Sequence, residues 1–144
     1  SIPSLSQTVR CTRKSVMEET EESFNLEALK AKAETGDVEA QYEMGWRHAL
    51  GMEVDLDDDI AVEWLEKAAA AGHMLAQNNM GARYYTGDGV EQNHKLAYRF
   101  FFQAANQGDR KAGKNLDAVA RQLSEADLKS LRAEMGEANF ASEE

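Results

Sequence analysis

Asp55, Asp57, Asp59 and Glu66 stand at the first, third, fifth and twelfth places of a run with calcium-loop spacing. The sixth place, where such a loop turns sharply on glycine, is Ile60. Asp57, Asp58 and Asp59 suit a helix N-terminus instead, where carboxylates complement the helix dipole. On that reading Glu66 projects from the helix and holds no ion. His48, His73 and His94 are 25 and 21 residues apart and share no helix face. A zinc site needs converging ligands, and no third one can be nominated. The pair Gly87 and Gly89 lies in a turn and makes no phosphate loop, and no strand-turn context supports a nucleophilic serine. Cys11 is the single cysteine, so an internal disulfide and a cysteine metal site are excluded. The residues predict no catalytic group, no metal and no cofactor. What remains is binding chemistry: aromatic rings, side-chain amides and a few cations on helices.

Those helices come from a repeat. Gly36, Gly72 and Gly108 are 36 residues apart, and the same interval relates Ala40, Ala76 and Ala112, and Met44, Met80 and Leu116. A period of this size marks a solenoid, in which each unit buries its apolar face against its neighbours. Asn25, Asp37, Asp57, Asn93 and Asp109 read as N-caps, and Ser124 with Asp127 as a capping box. Gly36, Gly51, Gly72, Gly87, Gly108 and Gly136 end the helices. Apolar stripes are Ala40, Met44 and His48; Ile60, Ala61, Trp64, Leu65 and Ala68; Ala76, Met80 and Tyr84; Leu96, Ala97, Phe100, Phe101 and Ala104; and Ala112, Leu116, Val119 and Leu123. Gly45 and Gly81 fall inside helices, where glycine costs about 1 kcal/mol against alanine. The expected return is close helix approach, with Trp64, Tyr84 and Phe100 filling the gaps.

Composition narrows the function. Sixteen basic residues face 26 acidic ones, a net charge of −10. That excludes a general nucleic-acid binder, which needs cations to displace phosphate counterions. It also disfavours an anionic membrane surface, and no apolar run reaches the length of a span. Residues 1–16 carry Arg10, Arg13 and Lys14 without an acid, and Glu18, Glu19, Glu21 and Glu22 follow. Residues 1–23 read as an arm, disordered or foreign to the native chain, 24–136 as the helical domain and 137–144 as a tail. A cytoplasmic location is expected, with the periplasm or secretion open to a chain whose leader has been removed.

AQNNMGARYYTGDGVEQNHKLAYRFFFQAANQG resembles a unit of the Sel-1-like repeat family, relatives of the tetratricopeptide repeats. The resemblance rests on Ala76, Gln77, Met80, Gly81, Tyr84, Gly87, Gly89, Val90, Lys95, Ala97, Phe100, Ala104, Ala105 and Gly108. In the copy before it Ala40, Gln41, Met44, Gly45, Gly51, Val54, Ala61, Trp64, Lys67, Ala68, Ala69 and Gly72 match. The first copy departs at Glu53, where the second turn glycine is missing, and at His48, where tyrosine is usual. The last unit has Gly113 for glutamine and Asp117 for glycine. The resemblance implies an all-α, right-handed α/α superhelical solenoid of about two full helix-pair repeats plus partial capping units. It implies a concave protein-binding face and a bacterial adaptor or regulatory scaffold, not an enzyme. Two alternatives are an immunity-type inhibitor of a secreted toxin and a hydrolase of the cysteine-rich β-lactam-binding branch, whose cysteines this chain lacks.

Positions that recur are packing positions, so binding is expected where copies differ on the first helix of each pair. The candidates are Tyr42, Glu43 and Trp46; Asn78, Asn79 and Tyr85; and Lys114, Asn115 and Arg121. Rings and arginine are the usual interface anchors, and amides suit a peptide backbone. The expected partner is a protein or peptide with an acidic group toward Lys114 and Arg121.

Overall fold

Each helix starts where a short polar side chain precedes a run of helix formers. The computed structural model describes residues 23–136, with α1 Leu26–Glu34, α2 Val38–Leu50, α3 Asp58–Ala70, α4 Met74–Thr86, α5 His94–Asn106, α6 Arg110–Ala120 and α7 Glu125–Met135. Cys11, the basic arm, the glutamate run and the tail lie outside the described residues. Among the described residues there is no strand and no helix long and apolar enough to cross a membrane.

Five of the six expected N-caps make their side-chain bond; Asp109 does not. Asn25, Asp37, Asp57, Asn93 and Ser124 accept from the backbone N–H three residues on, at 2.9–3.1 Å. The turns after α1, α3 and α5 share one form. Gly36, Gly72 and Gly108 adopt φ of 101–105°, and the residue after each donates to the carbonyl of Lys32, Ala68 or Ala104. That residue (Asp37, His73 or Asp109) is also the N-cap of the next helix. One glycine and one cap thus reverse the chain three times with the same local backbone form, with no free linker between the helices.

The in-helix glycines are seats. A β-carbon on Gly45 would lie 2.6 Å from Leu65 Cγ, and one on Gly81 would lie 2.8 Å from the Phe101 ring. Leu65 and Phe101 are one period apart, as are the two glycines. The side chains filling the close approach are therefore Leu65 and Phe101, not Trp64 and Phe100. Trp64 is buried against Ala33, Ala40 and Met44, while Phe100 is half-buried and stacks on Tyr84 at 5.8 Å. The alternation follows from geometry: successive residues on a helix cannot face the same neighbour.

Glutamines tie the units together. Gln41 Nε2 donates to Ala33 O and Gln77 Nε2 to Ala69 O, both at 3.1 Å and one period apart. In the last unit Gly113 replaces this glutamine. The stack ends on α7, which packs back on α5: Leu131 is buried in the cluster of Tyr98, Phe101 and Leu116. Arg99 grips Glu134 with two hydrogen bonds of 3.2 and 3.0 Å, which holds that carboxyl below its usual range. The sixth helix stops at Ala120, short of expectation, so Arg121 is its C-cap and Leu123 packs from a turn.

Gly81→Ala tests the close approach. Alanine gains about 1 kcal/mol of helix propensity. Overpacking costs about 1–3 kcal/mol, because Phe101 is buried and cannot withdraw. The variant should lose about 1 kcal/mol in urea melts; a gain would show that the seat does not limit the approach.

Candidate functional site

The face formed by α2, α4 and α6 is linked across the repeats by pairs of different chemistry at one spacing. Tyr42 stacks on His73 with ring centroids 4.3 Å apart. One period on, the Asn78 amide donates to the Asp109 carboxylate. That bond takes the Asp109 side chain away from its own helix, and Asp109 makes no side-chain cap bond. His73 does cap: its Nδ1 accepts from Ala76 N–H at 3.2 Å. The other ring nitrogen then carries the proton and faces Glu39 at 3.1 Å. Burial, and then the Glu39 charge, raise the Tyr42 hydroxyl above the usual tyrosine value. Tyr42 and Asn78 therefore both serve helix-to-helix links. The third residue of that column, Lys114, is exposed.

A second column belongs to an arginine clamp that sequence reading passed over. Arg47 Nε donates to Glu43 at 2.8 Å, and its Nη1 to the Met52 carbonyl at 3.1 Å. Arg83 repeats both bonds, to Asn79 at 2.8 Å and to the Asp88 carbonyl at 3.2 Å. Each guanidinium pins the loop that follows its helix. Arg83 is buried, with Asp58 of α3 at 3.8 Å. The signal was present, since Arg47 and Arg83 are one period apart. Their partners differ, acid in one copy and amide in the other, and that hid it.

The clamp explains the missing glycine. Gly89 has φ 77°, and a β-carbon there would lie 2.8 Å from Arg83 Nη1. Glu53, at the same place in the first copy, also adopts a left-handed φ of 65°. Its carboxylate accepts from Arg47 Nη1 at 3.2 Å. The turn keeps its shape without glycine at the cost of backbone strain.

Trp46 is different. It is half-buried on α2 and lies outside the three apolar clusters. The Arg47 guanidinium lies over its ring at 4.8 Å and, at 3.8 Å, over the ring of Phe24. Phe24 precedes α1 and was not singled out from sequence. Tyr85 is half-buried and tilts against His94 at 5.1 Å. Asn115 is half-buried and Arg121 exposed. The structure thus splits the nine candidates: Tyr42, Glu43, Asn78 and Asn79 carry scaffold bonds, while Trp46, Tyr85, Lys114, Asn115 and Arg121 retain surface.

The acidic run is a helix start. Asp57 caps α3, Asp58 and Asp59 lie in its first turn, and the Asp55 carbonyl accepts from buried His48 at 2.9 Å. Glu66, on α3, accepts from the Tyr84 hydroxyl at 2.8 Å. No group of three metal-ligating side chains occurs among the described residues.

The repeat that carries these clamps, glycine seats and caps matches a known family model. The chain matches the Sel1 repeat over residues 38–73 and 75–109. It is similar in structure to a protective antigen of uropathogenic Escherichia coli strains that displays an SLR fold, at TM-score 0.65 and 34% identity. That alignment covers 80% of this chain and 26% of the antigen, so the chain spans about a quarter of it. A Sel1 repeat protein from Oxalobacter formigenes aligns at TM-score 0.60 and 29% identity, over 75% of this chain and 97% of its own length. No curated protein matches the chain. The chain belongs to the Sel1 repeat family, and its fold is an all-α solenoid. Sel1 repeats are protein-binding modules and are typically non-catalytic.

Two measurements follow. Glu53→Gly should stabilise the chain by about 0.5–1 kcal/mol, because relief of the left-handed strain outweighs glycine's extra unfolded-state entropy and one exposed ion pair. A loss in urea melts would show that the Arg47 contact dominates. Burial, and then Glu66, push the Tyr84 hydroxyl up to about 12. Folded Tyr84 holds its proton more tightly than unfolded Tyr84. Its contribution to stability is therefore complete below the unfolded value near 10 and lost as pH rises through about 12. Alkaline absorbance titration should show a tyrosine step near pH 12, and Glu66→Gln should move that step earlier.

Proposed function

We propose that the chain binds a partner protein or peptide along the face of α2, α4 and α6, the concave face of the repeats. It acts there as an adaptor or regulatory scaffold with no catalytic step of its own. The observation that carries this is Trp46. An aromatic ring that the core does not use, backed by the Arg47 guanidinium, is a ready anchor; tryptophan and arginine are enriched where interfaces hold most of their energy. Tyr85, packed on one side against the core and His94, supplies a second ring in the next repeat. Lys114 and Arg121 give the far end positive charge on a chain of net charge −10, which suits an acidic group of the partner.

Capture from extracts of the producing organism, with Trp46→Ala as control, tests the reading. Trp46→Ala should weaken the captured partner by about thirtyfold, the effect of losing a 2 kcal/mol anchor, and leave the melting temperature nearly unchanged. Tyr42→Ala should instead lower the melting temperature, because its ring joins two helices. Equal capture by Trp46→Ala would overturn the proposal.

A further inference from the structure

Positions 46 and 82 are the same place in two successive units, occupied by Trp46 and Ala82. Each is followed by the clamp arginine, held by the same two hydrogen bonds. In the first unit aromatic rings cover the guanidinium: Trp46 at 4.8 Å and Phe24 at 3.8 Å. In the second unit no ring of the described residues lies over Arg83. Ala82 is exposed, and beside it opens a cleft of about 200 Å³ lined by Asn79, Ala82, Arg83, Thr86 and Asp88. The clamp is the same and Ala82 carries no indole, although the Arg83 side chain is only 10% exposed against 14% for Arg47.

We propose that this cleft on α4 is a socket for one aromatic side chain of a partner peptide, its ring seated over Ala82 against the Arg83 guanidinium. The cleft is open to solvent, and its volume suits a single ring lying in it with one face outward. Charge fits as well, since the negative face of a ring is drawn to a guanidinium, more strongly where water is scarce. Arg83 is buried and fixed by Asn79 and the Asp88 carbonyl, so its plane is set before the ring arrives. Preorganisation of this kind lowers the entropy lost on binding. Thr86 and Asp88 line the same cleft and offer polar groups to the peptide beside the ring. The inference rests on the proposed binding face and sharpens it: the second unit supplies a receptor for an aromatic residue, where the first supplies an aromatic residue of its own.

The test uses the whole chain labelled with nitrogen-15 and two small probes, N-acetyl-phenylalanine amide and N-acetyl-cyclohexylalanine amide. The probes are close in shape and differ in the ring electrons. The phenylalanine probe should shift the amides of Ala82, Thr86 and Asp88 and the Arg83 Nε–H saturably. It should half-saturate at about a threefold lower concentration than the cyclohexyl probe. Ala82→Trp, which supplies the ring from within, should abolish those shifts and keep the native circular dichroism. Absent or non-saturating shifts, equal half-saturation by the two probes, or full shifts in a folded Ala82→Trp variant would each overturn the socket. If Ala82→Trp does not fold, the probe comparison on the unaltered chain decides alone. These outcomes do not depend on Trp46, so the socket can fail while capture through Trp46 succeeds.

Discussion

Two helices cannot come to backbone distance while a β-carbon stands between them. Gly45 and Gly81 remove that atom in the middle of α2 and α4, and Leu65 and Phe101 enter the space. Much else follows from this contact. It sets the depth at which each helix pair closes, and so the level at which the clamp arginines meet their loops. It joins the two helices of each pair, and the Tyr42–His73 stack and the Asn78–Asp109 bond then link one pair to the next. A glycine inside a helix is a local fault of about 1 kcal/mol. It is retained in both copies because the neighbour that fills it stabilises more than the glycine costs.

The arginine clamps convert this packing into loop shape. A buried cation is costly unless its hydrogen-bonding capacity is used. Arg83 donates to a side-chain amide and a backbone carbonyl, with the Asp58 carboxylate 3.8 Å away as an ion-pair partner. The turn after α4 is therefore held from inside the helix, and Gly89 leaves room for the guanidinium. The turn after α2 reaches the same conformation through Glu53, which accepts a left-handed backbone. The turn is thus specified by the clamp as much as by the glycines.

The helix ends and the repeat were legible in sequence because single residues carry them: a cap accepts one N–H, and a glycine takes one positive φ. The helix start in the acidic run was legible for the same reason, with Asp57 as its cap and Ile60 inside the helix. The arginine clamps, whose partner changes from acid to amide, were not, and three further features were hidden as well. The residues seated on the glycines were read one position early, at Trp64 and Phe100, because an apolar stripe shows which face is buried but not which residue meets which neighbour. The links between first helices were hidden because Tyr42–His73 and Asn78–Asp109 share a spacing and no chemistry. Phe24 was missed because it belongs to no period and gains its role only by lying under Arg47. Of the candidate surface, the separation of Trp46 from the core was the part that needed coordinates, since a ring at helical spacing looks the same in sequence whether it packs or projects.

What recurs in this chain builds the solenoid, and what changes along α2, α4 and α6 is offered to a partner. Hydroxyl-radical footprinting of the chain with and without its captured partner tests that division most directly. The two tryptophans serve as internal reporters, Trp46 on the first-helix face and Trp64 within the core of the first unit. The account predicts that the partner protects Trp46 and Tyr85 from oxidation and leaves Leu56, exposed between α2 and α3, and Leu128 of α7 as reactive as before. Protection at Leu56 or Leu128 with Trp46 still freely oxidised would contradict it.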